Sequence, residues 1–242
     1  MTIPFHRLLT VETRKLFDTR SSVILTAVLL CLTVAAIAGR GLYAGPDLQR
    51  LVWTAGLGYA LLLPVLGILT VTNEWSHRTA LTTFALEPRR WRVMAAKAVP
   101  PVLAAVVASL FALLVALPAT ALVSAVQDVP AHWNATLATM TGWTATNALF
   151  VMMGVALGTL LLNAPAAIVV YLASTGVWNA VAMLGSTGQT LAEWLDLNRT
   201  TAPLATGDWA DVAPARLAAS VALWIVIPLL LGTARVSRKE VK

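Results

Sequence analysis

The sequence predicts an all-α integral membrane protein with six transmembrane helices, and three observations carry that reading. Of 242 residues, 58% are hydrophobic and 12% charged, roughly half the charge of a soluble domain. Mean hydropathy is +0.78. Stretches without Asp, Glu, Lys or Arg run for 23 residues from Leu51 to Asn73 and 30 from Ala98 to Gln127, against the ~20 a helix needs to cross a bilayer. The whole chain, 1–242, reads as one membrane domain with no room for a separate soluble one.

Residues 1–20 are polar and mixed in charge, and predict an interfacial helix over Pro4 to Arg20 on the cytoplasmic side. Phe5, Leu8, Leu9 and Leu16 form its apolar stripe, and Glu12 falls inside that stripe. A carboxylate there is costly unless paired. The basic residues of the loop 73–97, Arg78 and Arg89 foremost, are the nearest candidates by topology; the alternative is an exposed acid at the edge of the helix. The first three spans follow at about Ser21–Gly39, Leu51–Thr72 and Ala98–Val126. From Val129 to Ala192 there are 64 residues without Asp, Glu, Lys or Arg, too many for one span. Asn163-Ala164-Pro165 divides them, because Asn and Pro punctuate helices, into Leu137–Leu162 and Ala166–Gly185. The external segment 186–216 contains Leu191, Trp194 and Leu195 at helical spacing, with Glu193 and Asp196 on another face. It predicts a short amphipathic helix at the outer interface, with Trp133 and Trp209 at the same level. Leu217–Thr233 is the sixth span.

Charge supports the count. With six spans, both termini and the loop 73–97 share one side, which holds thirteen Lys/Arg against five acids, a net of +8. The other side holds four against six, a net of −2. The basic side is cytoplasmic by the positive-inside rule. The formal charge of +6 therefore reflects cations flanking apolar runs and implies no nucleic-acid partner; the polar partner of such flanks is membrane lipid.

The loop 73–97 is the most informative stretch. Asn73 suits a helix cap and Glu74 a first turn, so Trp75 to Leu86 reads as about three turns of helix, with Leu81 and Phe84 on one exposed face. Pro88 ends it by pushing Glu87 out of the helical region. A second helix starts at Pro88, with Trp91, Met94, Ala95 and Ala98 on one face and Arg89, Arg90, Arg92 and Lys97 on the other, and lies on the inner leaflet before the third span. From pattern alone this could be a membrane-surface segment with no partner.

Glu74-Trp75-x-x-x-Thr79, then Pro88-Arg89-Arg90, then Ala95-Ala96-Lys97 resembles the first cytoplasmic loop of permease subunits of ABC transporters of the type 2 exporter class. Arg78 stands where many members carry Gly. Glu12-x-x-Lys15 before the first span and Leu195-Asp196-Leu197 before the last are similar to the family too. The resemblance implies that the loop carries a coupling helix between spans 2 and 3. That helix docks on a separate ATP-hydrolysing subunit, two copies of which hold ATP and Mg. It also implies a second permease copy, identical or homologous. Glu74, Trp75, Thr79, Leu81, Phe84, Pro88 and Arg89 are then the coupling residues, and Glu12, Lys15, Arg90, Arg92 and Lys97 the cytoplasmic interfacial ones.

The residues themselves exclude several chemistries. No GxxxxGK[ST] is present to cradle nucleotide phosphates, nor HExxH or GxSxG. His6, His77 and His132 are scattered over three segments, and Cys31 is the sole cysteine, so neither a metal cluster nor an internal disulfide is expected. No cofactor is expected in this chain, which reads as a transport subunit and not an enzyme. The six apolar runs contain no Asp, Glu, Lys, Arg or His, whereas ion-coupled transporters usually place a charged group at depth. Gly154-x-x-x-Gly158 permits close helix approach, within the subunit or at a dimer seam. Thr136, Trp143, Asn147, Thr175 and Asn179 could line a substrate path or bond neighbouring helices.

Taken together, the expectation is a permease of an ATP-driven exporter moving a hydrophobic or amphipathic compound (a drug, antibiotic, peptide or lipid-like molecule) across a bacterial cytoplasmic membrane. The excess of Arg over Lys and the abundance of Ala fit a GC-rich bacterial genome. An ATP-independent secondary carrier and a membrane scaffold or sensor are the alternatives.

Overall fold

A computed structural model describes residues 4–18, 20–77, 79–87 and 89–238. Among them the chain is helical, and six helical stretches are long and apolar enough to cross a membrane: Arg20–Ala44, Leu48–Ser76, Arg90–Gln127, Leu137–Leu161, Ala164–Ala182 and Pro214–Arg238. Each overlaps one of the six expected spans. The chain is thus an all-α, multi-pass membrane protein by architecture.

Helix α1 (Phe5–Asp18) precedes the first span, α2 (Arg20–Ala44). Leu8, Glu12 and Leu16, four residues apart, form the buried row of α1, as residues at i and i+4 share a face. α2 buries the same kind of row, Leu29, Thr33, Ile37 and Gly41, and is otherwise apolar all round, as suits contact with lipid. Gly45, at φ +79°, turns the chain, and Asp47 caps α3 (Leu48–Thr54) by accepting from the Arg50 N–H at 2.9 Å. α4 (Gly56–Ser76) continues the second span and contains Pro64. Proline has no N–H to give the carbonyl four residues back. The Tyr171 hydroxyl donates to that carbonyl, Ala60 O, so the gap in the ladder is filled by another span.

After α5 (Ala80–Leu86) comes α6 (Arg90–Gln127), a single helix of 38 residues that ends at Asp128 in the left-handed region. α7 (Leu137–Leu161) is the most enclosed span. It starts on a reciprocal capping box between Thr136 and Thr139. Gly154 and Gly158 put its backbone against α4: a Cβ at Gly154 would lie 2.1 Å from Pro64 O and one at Gly158 3.1 Å from Ile68 O. The small-residue pair therefore serves packing inside this chain. Asn163 caps α8 (Ala164–Ala182), accepting from the Ala166 N–H at 3.0 Å, so the expected turn sits where Asn and Pro placed it.

One helix was expected in the segment 186–216, and two are present: α9 (Ser186–Leu195) and α10 (Leu197–Thr206). Asp196, expected on the polar face of a single helix, is extended and caps α10 by accepting from the Asn198 N–H at 2.9 Å. The competition of a short carboxylate for backbone N–H groups breaks the helix there. Trp224 Nε1 donates to Leu195 O at 2.9 Å, and Thr200 and Ser220 share a hydrogen bond of 2.7 Å. These bonds tie the pair to α11 (Pro214–Arg238), whose wider π turn at Ala222–Val226 lies just before Pro228. A π turn is one way to take in a helix proline.

Candidate functional site

Four charged side chains from three helices meet at one end of the bundle. Glu12 and Lys15 lie one turn apart on α1, Glu74 lies in the last turn of α4, and Lys97 lies two turns into α6. Lys97 Nζ is 2.7 Å from Glu12 Oε2 and 2.9 Å from Glu74 Oε1. Lys15 Nζ is 2.9 Å from Glu12 Oε1 and 2.6 Å from Glu74 Oε1. The four side chains form a closed ring of alternating sign with no net charge. Lys97 is 1% exposed and Glu12 3%, while Lys15 reaches the surface, its side chain 39% exposed. Burial alone would lower the pKa of the Lys15 ammonium, but hydrogen bonds and attraction from Glu74 and Glu12 outweigh it and hold the group above its usual 10.5.

Helix α5 hangs on this ring. Thr83 Oγ1 donates to Glu74 Oε1 at 3.2 Å, and the Thr79 N–H donates to Glu74 O at 2.9 Å. Phe84 is buried against Trp75, Val93, Met94 and Val236, and the Arg90 guanidinium sits 5.0 Å from the centre of its ring. Arg90 also donates to Val236 O near the end of α11. Glu87 is extended, at φ −131° and ψ 98°, and pairs with Arg92 at 2.9 Å. Leu86 and Trp91 stay outside, 67% and 61% exposed. A cavity of about 840 Å³ opens between α1 and the α4–α5 corner, with Glu12, Lys15, Glu74 and Lys97 along one wall.

Several expectations are corrected here. The helix expected over Trp75 to Leu86 is not continuous. Asn73, Glu74 and Trp75 belong to the end of α4, and α5 has only seven residues. Helical hydrogen bonding runs past the apolar window because the ring satisfies the charges at its end. Phe84 faces inward and not outward, since the inner ends of α4, α6 and α11 offer an apolar pocket and a cation. The polar face of the next segment departs from expectation at one place: Lys97 points into the bundle, because two carboxylates await an ammonium there. That segment is the start of α6 and continues into the third span. Glu12 is paired, as expected of a carboxylate on an apolar stripe, but with Lys97 and Lys15; Arg89 is exposed away from it. Arg78, Pro88, Lys239, Lys242 and the Leu81 side chain lie outside the described residues.

The polar candidates within the spans do not converge on one space. Trp143 stacks on Tyr59 with ring centres 5.4 Å apart. Asn147 donates to Ser109 Oγ at 3.2 Å. Thr175 accepts from Asn198 Nδ2 at 3.3 Å, Thr136 is the α7 cap, and Asn179 is exposed on α8. None of the five lines the cavity; three of them bond or stack on neighbouring segments, and Thr136 caps its own helix. Tyr59 and Tyr171 escaped the sequence reading. The Tyr59 hydroxyl donates to Ala108 O at 2.6 Å and accepts from Thr33 at 3.3 Å. The signal for Tyr171 was Pro64, whose missing N–H leaves the Ala60 carbonyl in need of a donor. Among the described residues no group of three His, Cys, Asp or Glu side chains could hold a metal ion.

The architecture and the ring define a class, a polytopic helical membrane protein with a charge-balanced cluster at one end. No family model matches the chain, and no curated protein matches it.

Proposed function

We propose that the chain is the membrane-spanning permease subunit of an ATP-driven exporter in a bacterial cytoplasmic membrane. It would pair with a second permease, identical or homologous, and with two copies of a separate ATPase that bind ATP and Mg. The observation that supports this reading most is the ring of Glu12, Lys15, Glu74 and Lys97. It joins three segments at the point where α5 is suspended. Thirteen of the seventeen Lys/Arg belong to this end of the topology, which supports a cytoplasmic location under the positive-inside rule.

The mechanism follows from how α5 is held. One side is fixed through Phe84, Thr83 and the Thr79 N–H. The other offers Leu86, with Trp91 beside it at the start of α6. A force applied there is not absorbed by bending of a loop. It passes through Glu74 into α4, through Lys97 into α6, and through Glu12 into α1. α4 in turn lies backbone to backbone on α7. Such a cluster suits transmission better than proton carriage, because both carboxylates are already matched by ammonium groups. Away from that end the spans are apolar, with neutral hydrogen-bonding groups such as Tyr59 and Asn147, in keeping with a hydrophobic or amphipathic cargo.

The test is association. Leu86→Asp puts a charge on the exposed side of α5 without touching the ring, and should abolish copurification with the ATPase and stimulation of its hydrolysis while thermal stability stays unchanged. Full ATPase stimulation and transport in Leu86→Asp would sink the docking assignment.

A further inference from the structure

We infer that the cavity between α1 and the α4–α5 corner is a binding site for one acidic phospholipid, a reading that depends on the chain spanning a membrane but not on its partner being an ATPase. Three observations carry it. First, the cavity spans two depths. One wall is Leu69 within α4, more than a turn inside the span, and the other is Leu8 and Val11 on α1, outside any span. A space that starts at an interfacial helix and descends along a transmembrane one matches an amphiphile with a headgroup and a chain. Its volume of about 840 Å³ holds a headgroup and part of one chain and leaves the remainder in the bilayer.

Second, the charges lining it are unequal once the internal pairs are set aside. Glu12 and Glu74 are matched by Lys15 and Lys97, and Glu87 by Arg92. Arg7 remains, exposed in the cavity mouth and without an ion pair among the described residues. The partly exposed Lys15 ammonium, held in the ring, lies about two turns further along α1. His77 Nδ1 is committed to Asn73 O at 2.8 Å, which leaves Nε2 for the cavity. The uncompensated charge is therefore positive, and a basic pocket beside spans on the cytoplasmic side selects anionic headgroups. Third, Thr82 and Leu86 on α5 close the far side, so an occupant would touch the same short helix that the ring suspends. A soluble anion would leave the apolar walls wet, and a neutral lipid would leave Arg7 without a partner.

The experiment uses the purified full chain in nanodiscs of phosphatidylcholine, with phosphatidylglycerol added in steps, read by thermal stability and by native mass spectrometry of retained lipid. Phosphatidylglycerol should raise the melting temperature saturably and be retained at one per chain. Arg7→Gln should weaken that effect about fivefold, the usual share of one basic side chain at an anionic surface. Thr82→Trp fills the cavity without changing charge and should weaken retention as well. Arg238→Gln, which removes a cation at the same end outside the cavity, should change nothing. Equal stabilisation by phosphatidylcholine, an effect of Arg238→Gln as large as that of Arg7→Gln, or protection by soluble glycerol phosphate at matched concentration would each overturn the assignment.

Discussion

Replacing Lys97 with Met tests the ring directly, because Met keeps much of the side-chain volume and removes only the ammonium. In the native chain the ammonium lies 2.7 Å from Glu12 and 2.9 Å from Glu74 and is 1% exposed. Without it, two buried carboxylates share one cation, Lys15, whose side chain is 39% exposed. Removing one partner of a buried pair costs about 3–5 kcal/mol, which for a chain of this size lowers the melting temperature by roughly 6–20 °C. Lys15→Met should cost about 1 kcal/mol or less, since water screens the exposed ammonium and can replace part of it. Arg89→Gln, on an exposed side chain outside the ring, is the control. The assay is tryptophan fluorescence on heating in one detergent at one pH. Glu12→Gln combined with Lys97→Met restores the balance of charge, leaving Glu74 opposite Lys15. The double variant should therefore lose less than the sum of the single losses by about 1–3 kcal/mol. A loss for Lys97→Met no greater than for Lys15→Met, together with additivity in the cycle, would refute the ring as a coupled unit.

Three further outcomes are expected. In a Cys31→Ser background, a cysteine at Ser237 should react with an impermeant thiol reagent only after lysis, and one at Gln189 in intact spheroplasts; labelling of both from one side would contradict the six-span count. Gln189 is the better site than its neighbour Gly188, where a Cβ would meet Val181 O at 2.0 Å. Tyr171→Phe should lower stability by about 1–2 kcal/mol, the usual range for a buried carbonyl left unpaired, because Ala60 O then loses its donor; an unchanged melting temperature would show that another group satisfies it. Lys15 carries a folded-state pKa raised above 10.5, so its stabilising contribution is complete below pH 10.5 and is lost as pH climbs through the folded value. The difference in melting temperature between the native chain and Lys15→Met should thus be constant from pH 8 to about 10 and shrink above that, and a difference that widens with alkali would reverse the sign argument.

The number and order of spans were legible because an apolar run of twenty residues has few other uses in a chain so poor in charge. The α7–α8 turn was legible for a local reason, since Asn163 caps and Pro165 fits a first turn. The charged end was legible only in part. Its helical periodicity was visible, but a helical wheel assumes that cations face water. Lys97 faces Glu12, 85 residues away in sequence, and Glu74. Phe84 went astray for the same reason: its neighbours Val93 and Val236 come from other helices, and a wheel drawn on one segment cannot contain them. Charge bookkeeping held a partial hint. Glu12 on an apolar stripe demanded a partner, and the choice among cations was decided by tertiary packing that no single-segment pattern encodes.

The composition of the ring bears on why it is kept. A buried ion cluster is a poor way to gain stability, since apolar side chains of the same volume often do as well or better. What alternating charges supply is a geometry that apolar contacts do not enforce. Glu12 can satisfy Lys97 and Lys15 together only if α1 lies at one rotation and one height against α4 and α6. A greasy contact at the same place would tolerate sliding. For a protein proposed to receive a stroke at α5, sliding at that joint would dissipate the motion before it reached the spans. Stability and transmission are therefore separable in the Glu12→Gln and Lys97→Met double variant. Its charges balance, so it should fold, but its α1 is no longer pinned to α6. On the transmission reading such a chain still binds the ATPase and transports poorly, whereas a ring that served stability alone would leave its transport near native.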